Sequence, residues 1–330
     1  MRFLLFIFIE IWLIPWQILA ILVYSYRVMR KTNPAKISGT ANEIISARLL
    51  MHRAGTRIDE PTARLAQHLP AYGPVVAWLF GSFGLAARWS GYALVWAQYP
   101  VQRPSTLNGL VGHRTEFLDD LLTEAVDPAG QTPVRQVVIL GAGWDTRAWG
   151  MLSGADVRIF EVDMAPTQRV KRAAIEAAGL ALDRVTYVET DFVQKTWLQA
   201  LTEHGFDPEL PTFFLWEGVT YYLPIDAIES TLREVARLAP GSRIAFDFFS
   251  EELIEAKPPF EKLGKRMRKA ANSFFPHEPL RSGISTQPPA CAHVQKLVEG
   301  QGLELVEYEH YGPEDKAFGG MALAVPARQT

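Results

Sequence analysis

The sequence predicts an α/β fold in which a mostly parallel, seven-stranded sheet is covered by helices and closed at one edge by an antiparallel hairpin. Three observations carry the prediction. From Val134 onward, short runs rich in β-branched and aromatic residues alternate with helical patterns, as expected of parallel strands joined by crossover helices. The first run breaks on two glycines in QVVILGAGWDTRAWG, residues 136–150. The last two runs, LELVEYEH and GMALAVPA, stand about ten residues apart with no helical pattern between them. They read as the closing hairpin.

The N-terminal region comes first. Residues 3–26, FLLFIFIEIWLIPWQILAILVYSY, hold a single charge. As a helix they would reach roughly 36 Å, enough for a hydrocarbon core with some tilt. Arg27, Arg30, Lys31 and Lys36 follow, against Arg2 alone before, which places the bulk of the chain on the cytoplasmic face of a membrane. A cleaved signal peptide fits less well, because the apolar run is long and no small-x-small site follows it. Glu10, Gln17 and Tyr24 recur every seven residues and share a helix face, with Pro15 expected to kink the helix. Three readings stay open for residues 1–31: a transmembrane span, a helix lying in the interface, or a buried soluble helix.

Residues 32–130 are expected to form a helical lid. After the turn-rich TNPAKISGT, the stretch GTANEIISARLLMHRAG shows a Thr40 cap, apolar spacing of three and four, and a closing glycine. Residues 69–102 carry Arg88 as their one charge and are interrupted by Gly81, Gly84 and Gly91. They read as buried lid helices or as a hairpin dipping into the membrane. Residues 131–330 hold the sheet, with strands at VRQVVIL, VRIFEVD, VTYVETD, TFFLWEG and SRIAFDFF and a helix at IDAIESTLREVARLA. A variable segment, 250–290, is expected to shape a substrate pocket.

Composition narrows the function. The 330 residues are 48% hydrophobic and 21% charged, with a formal net charge of -3. These are globular values, and they give no basic field for nucleic acid. The single cysteine, Cys291, excludes an internal disulfide. No His or Cys pair stands at metal-ligand spacing, so no metal is expected.

The glycine turn points to a ligand. Parallel strands present their C-terminal ends to ligands, and Gly141 and Gly143 let backbone approach without a Cβ in the way. A dinucleotide fingerprint wants a third glycine where Thr146 stands, and it seats a pyrophosphate where Asp145 places a negative charge. A cationic sulfonium ligand would not be repelled there. Further acids end the next strands: Asp163, 20 residues beyond Gly143, at the usual ribose position; Asp191, followed by Phe192, for adenine; and Glu217 at the cleft floor. Each acid alone could equally be a helix cap. Together they form a constellation.

VVILGAGWDTRAW, FEVDMAPTQRVKR, TDF and GFDPELPTFFLWEGVTYYLP together resemble the leucine carboxyl methyltransferase family, from about Gly39 to Ala327. The resemblance implies a Rossmann-like methyltransferase fold, S-adenosyl-L-methionine as cofactor and an O-methylation activity. It further implies that Arg48, in GTANEIISARLL, serves the methionine part of the cofactor, and that Arg114, in GHRTEFLDDLL, meets its carboxylate. By the same carry-over Gly141, Ala142, Gly143, Asp145 and Glu161 lie along the cofactor. Asp163 holds ribose, Asp191 and Phe192 hold adenine, and Glu217 approaches the amino group. The N-terminal apolar helix and Trp144 depart from the family pattern.

A carboxylate acceptor is already ionised at neutral pH and needs no base. A hydroxyl acceptor needs one, and His113, His204, Tyr221 and Tyr222 are the candidates, with Glu217 beside them at the cleft floor. The basic run KLGKRMRKAANSFFP, residues 262–276, reads as a solvated helix face or as a contact for anionic headgroups. Arg281 is a candidate clamp for an acidic substrate. The expected acceptor is a small, apolar or lipid-like molecule. Two other readings stay open: a nicotinamide-dependent reductase, and a membrane-tethered scaffold without turnover.

Overall fold

Strand order decides where this chain can bind a ligand. The computed structural model describes residues 1–190 and 197–327. Its seven strands are β1 (Gln136–Leu140), β2 (Arg158–Asp163), β3 (Thr186–Glu189), β4 (Thr212–Trp216), β5 (Arg243–Phe249), β6 (Leu303–Tyr311) and β7 (Gly319–Pro326). Each lies within two residues of its expected ends. The order is β3-β2-β1-β4-β5-β7-β6. β1 to β5 are parallel, and β7 joins β5 and β6 antiparallel. This is the Rossmann-like methyltransferase arrangement, a parallel sheet finished by an antiparallel hairpin. The order in which strands are added reverses between β1 and β4, so their C-terminal ends open a crevice.

The strands are buried on both faces, and alternate residues feed two cores. Val137, Ile139, Phe213 and Leu215 face one side, where α6 (Leu110–Val126), α10 (Glu251–Ile254) and α11 (Glu261–Phe274) cover them. Val138, Leu140, Phe214 and Trp216 face the other, under α8 (Trp197–Glu203), α9 (Ile225–Val235) and α12 (Ala290–Glu299). The helix α7 (Ala165–Ala177) follows β2.

The N-terminal region packs a further core, shared with Trp144 and with Ala174 and Ile175 of α7. It comprises α1 (Arg2–Arg27), α2 (Ala41–Ala54), α3 (Glu60–Ala66), α4 (Gly73–Phe80) and α5 (Ser82–Ser90). α2 closes on Gly55 at φ 78°, as its sequence predicts. Its N-terminal donor is satisfied differently: Thr40 makes no cap bond, and Ala41 N–H donates to Ser38 Oγ at 3.2 Å. The next two donors go to backbone, Asn42 N–H to the Gly39 carbonyl and Glu43 N–H to the Thr40 carbonyl.

α1 is continuous through Pro15 and passes into a π turn at Val28–Thr32. One face, Phe6, Glu10, Leu13, Gln17, Ala20 and Tyr24, turns inward at alternating spacings of four and three. Phe6 packs on Tyr92, Trp16 on Trp78, and Tyr24 on Tyr72 and Phe80. Gln17 Nε2 donates to Glu10 Oε2 at 2.6 Å, so the polar stripe satisfies itself against the protein. The opposite face is apolar and bare: Trp12 is 71% exposed, and beside it Trp78 of α4 is 69% exposed. Residues 2–32 form one helix long and apolar enough to cross a membrane.

Candidate active site

The crevice between the ends of β1 and β4 holds a cavity of about 270 Å³. β1 leaves it through Gly141 and Gly143, at φ 67° and 44°. A Cβ on Gly141 would stand 2.4 Å from Val219 Cγ2, so both the dihedral and the close approach require glycine. Gly143 N–H donates to Asp163 Oδ2 and Met164 N–H to Asp163 Oδ1, each at 2.6 Å. These bonds tie the turn after β1 to the end of β2. Burial pushes the Asp163 carboxyl up to about 6, with the two backbone donors pulling the other way.

The remaining acids are answered by arginines. Arg48, from α2, donates to Asp145 Oδ2 at 3.1 Å and to Glu217 Oε2 at 2.7 Å. Arg147 Nη1 bonds the same two carboxylates, reaching Glu217 Oε2 at 2.7 Å. Arg114, from α6, donates to Glu217 Oε1 at 3.1 Å and to Asp247 Oδ2 at 2.8 Å. It also reaches the Tyr221 hydroxyl at 3.2 Å. Asp247 Oδ1 accepts Gly218 N–H at 2.5 Å. Arg147 Nε donates to Asp119 Oδ1, and Arg57 Nη2 to Asp119 Oδ2, each at 2.7 Å. Burial alone would raise the Glu217 carboxyl, but Arg48, Arg147 and Arg114 outweigh it and hold it at about 2. Asp145 is likewise held well below the carboxylate range, burial being overridden by Arg147 and Arg48.

This network revises the electrostatic expectation. Asp145 and Glu217 are members of buried ion pairs, and their charge is already balanced. Repulsion of a phosphate by Asp145 therefore carries little weight. A structural feature counts against a pyrophosphate instead: the glycine turn runs into a single 3-10 turn, Arg147–Trp149, and no α-helix N-terminus is presented.

The other expected residues fall into three groups. Arg48, Gly141, Ala142, Gly143, Asp145, Asp163, Glu217, Tyr222 and Arg281 all line the first cavity. Arg114 and Tyr221 line a second, larger cavity of about 600 Å³, which shares Thr40, Ile44, Gly218 and Tyr222 with the first. Glu161 and His113 line neither. Glu161 is fully buried in β2 with Lys171 Nζ 2.7 Å away, because it points into the sheet's covered face. Burial pushes its carboxyl up to about 7, with Lys171 opposing. His113 is held between Ser105 Oγ at 2.9 Å and Glu309 Oε2 at 2.6 Å, edge-on to Tyr311. His204 caps α8, its Nδ1 2.8 Å from the Ala200 carbonyl. Asp191 and Phe192 lie outside the described residues.

Sequence reading passed over Arg147, Asp119 and Asp247. A signal existed for the last: Asp247 is the lone acid within the apolar run IAFDFF, and a buried charge of that kind demands a partner.

The family model for leucine carboxyl methyltransferase matches residues 74–236. A Frankia alni protein, provisionally named an S-adenosyl-L-methionine-dependent methyltransferase, is 41% identical over 145 residues, covering 43% of this chain and 49% of the relative. A Mycolicibacterium gilvum protein with the same name is 34% identical over 218 residues, covering 64% of this chain and 66% of that one. The chain spans about half the length of most of the curated relatives it matches. Among solved structures, a Streptomyces avermitilis protein aligns with a TM-score of 0.47 and 17% identity, over 66% of this chain and 84% of that one. Residues 74–236, which hold the paired glycines and the Glu217 block, are thus similar to the leucine carboxyl methyltransferase family, and the strand order agrees with that likeness.

Proposed function

We propose that this chain is an S-adenosyl-L-methionine-dependent O-methyltransferase acting on a small apolar acceptor beside a membrane. The observation that carries the reading is the pair of adjoining cavities at the reversal of strand order, one Gly-floored and lined by Arg48, Asp145, Asp163 and Glu217, the other more apolar. The residues present fit the cofactor. Arg48 Nε is buried without a hydrogen-bond partner among the described residues, a donor left over for an amino-acid carboxylate. Each Asp163 oxygen takes one backbone donor and keeps lone-pair capacity for ribose hydroxyls. Gly141 and Gly143 line the cavity with bare backbone.

When bound, the cofactor supplies a methyl group on a cationic sulfur, whose transfer to oxygen is favoured in a dry site. The chain's own residues provide that dryness and alignment. The ion pairs of Arg48, Arg147 and Arg114 rigidify the cleft floor, and α11 roofs the apolar cavity with Met267, Ala271 and Phe274. The membrane assignment rests on the bare apolar face of α1, continued by Val75, Trp78 and Trp89, a patch typical of interaction surfaces.

Calorimetry with S-adenosylhomocysteine tests the cofactor reading: saturable heat is expected, reduced by Asp163→Ala. Absence of heat with wild-type protein refutes it. Turnover of labelled cofactor with membrane and soluble extracts then separates enzyme from scaffold, and a label found only in soluble metabolites removes the lipid-like acceptor.

A further inference from the structure

Resting on the methyl-transfer reading, we propose that the second cavity is built for an apolar acceptor bearing a hydroxyl group, and that Glu43 receives the hydroxyl proton.

The cavity's shape and walls define the apolar part. α11 presents Met267, Ala270, Ala271 and Phe274 to it, the i, i+3, i+4, i+7 pattern of one helix face. Leu50 and Phe249 close the other sides. Its volume of about 600 Å³ is in the range of small-molecule sites. Contact with the first cavity through Gly218 and Tyr222 puts its inner end at the catalytic cleft.

The charges lining it define the polar part. Among the described residues Arg114 is the one cation in the lining, and Glu217 and Asp247 already hold it. An acidic acceptor therefore finds no free cation there. Glu43, on α2, also lines the cavity and makes no ion pair among the described residues. Its carboxyl is raised by burial, pulled down by Arg114 and pushed up by Glu278. The tyrosines near it do not compete as bases: burial pushes the Tyr221 and Tyr222 phenols up, as it does Tyr24 and Tyr72 beyond them. His113 is bound elsewhere.

A carboxylate acceptor beside Glu43 would meet a like charge, whereas a hydroxyl donates to it. The O–H bond then breaks heterolytically: the proton goes to a Glu43 oxygen and the bonding pair stays on the acceptor oxygen. Glu43 returns the proton to water when the product leaves. Sequence reading overlooked Glu43 because it sits in an ordinary amphipathic helix, beside Arg48.

The test uses the full chain and two probes of matched size, 4-octylphenol and 4-octylbenzoate, followed by the fluorescence of Trp96 in the cavity wall. The phenol is expected to bind about tenfold more tightly or better, given the cost of like charges in close contact. Glu43→Gln is expected to bring the two affinities close together, and Ala270→Phe, which fills the cavity, to remove both. Equal or tighter binding of the benzoate overturns the proposal, as does a ratio unmoved by Glu43→Gln. Phenol binding that persists in Ala270→Phe also overturns it, since the site is then elsewhere. If Glu43→Gln does not fold, the wild-type ratio and Ala270→Phe still decide. Parallel calorimetry with S-adenosylhomocysteine keeps the two readings apart. Cofactor binding without phenol binding sinks only the acceptor proposal. Phenol selectivity without cofactor binding sinks the methyl-transfer reading and leaves a hydroxyl-selective pocket.

Discussion

Glu217 is the residue on which the site's charge closes, since Arg48, Arg114 and Arg147 all reach it. Glu217→Gln leaves three buried guanidiniums short of a partner. A loss of roughly 3–5 kcal/mol is expected from breaking such pairs, read as a lower urea midpoint. The pH dependence has a definite sign. Its carboxyl is depressed from 4.5 to about 2 in the folded state, so the stability it contributes is present above 4.5 and is lost as pH falls towards 2. The variant's stability should vary less than wild type across that window. Asp163 behaves oppositely. Its carboxyl is raised from 3.8 to about 6, so its stabilising contribution is complete below 3.8 and lost as pH rises through 6. The proposed ribose role of Asp163 needs the ionised form, so affinity for S-adenosylhomocysteine should fall by up to about tenfold per pH unit below 6. Calorimetry between pH 5 and 8 reads this, and Asp163→Asn should flatten the profile.

At the scale of elements, the glycine turn is the least replaceable. Gly141→Ala forces a Cβ to within 2.4 Å of Val219 Cγ2 at φ 67°. The left-handed backbone alone costs about 1–2 kcal/mol. Val219→Ala in the same chain should recover the overlap and not the dihedral cost, a partial rescue visible in thermal melts. Full rescue would mean the turn relaxes freely. The strands were legible because buried parallel strands read as short β-branched runs. The cap of α2 was less so: Thr40 and Ser38 are equally good capping types, and only backbone geometry chooses between them. The stripe on α1 was legible as periodicity, but its direction was not. Glu10 and Gln17 turn inward and bond each other, and Tyr24 packs on Tyr72 and Phe80, which leaves the apolar face outside.

For the whole molecule, the bare faces of α1, α4 and α5 form one surface. Trp12→Ser, Leu22→Ser and Trp78→Ser together remove exposed apolar area without touching buried Phe6 or Ala20. Wild type is expected to co-sediment with phosphatidylcholine vesicles and the triple variant to remain in solution. Equal partition of both would show that this face does not meet lipid. Most of the site was visible along the chain, since Gly141, Asp145, Asp163 and Glu217 sit at strand ends that hydrophobic patterning marks out. Glu161, inside β2 and outside both cavity linings, shows what patterning leaves open: it does not say which face of the sheet an acid occupies.

By itself the sequence determined the alternation of strands and helices, the glycine bend and the apolar N-terminal helix, because each depends on residues within a few positions of one another. Only the tertiary structure decided which arginine answers which carboxylate. Arg48 lies 97 residues from Asp145 and 169 from Glu217, and no local pattern encodes a contact made by burial across such distances. The two adjoining cavities are of the same kind: their walls come from helices and loops far apart in the chain, brought together when the apolar faces of those elements leave water.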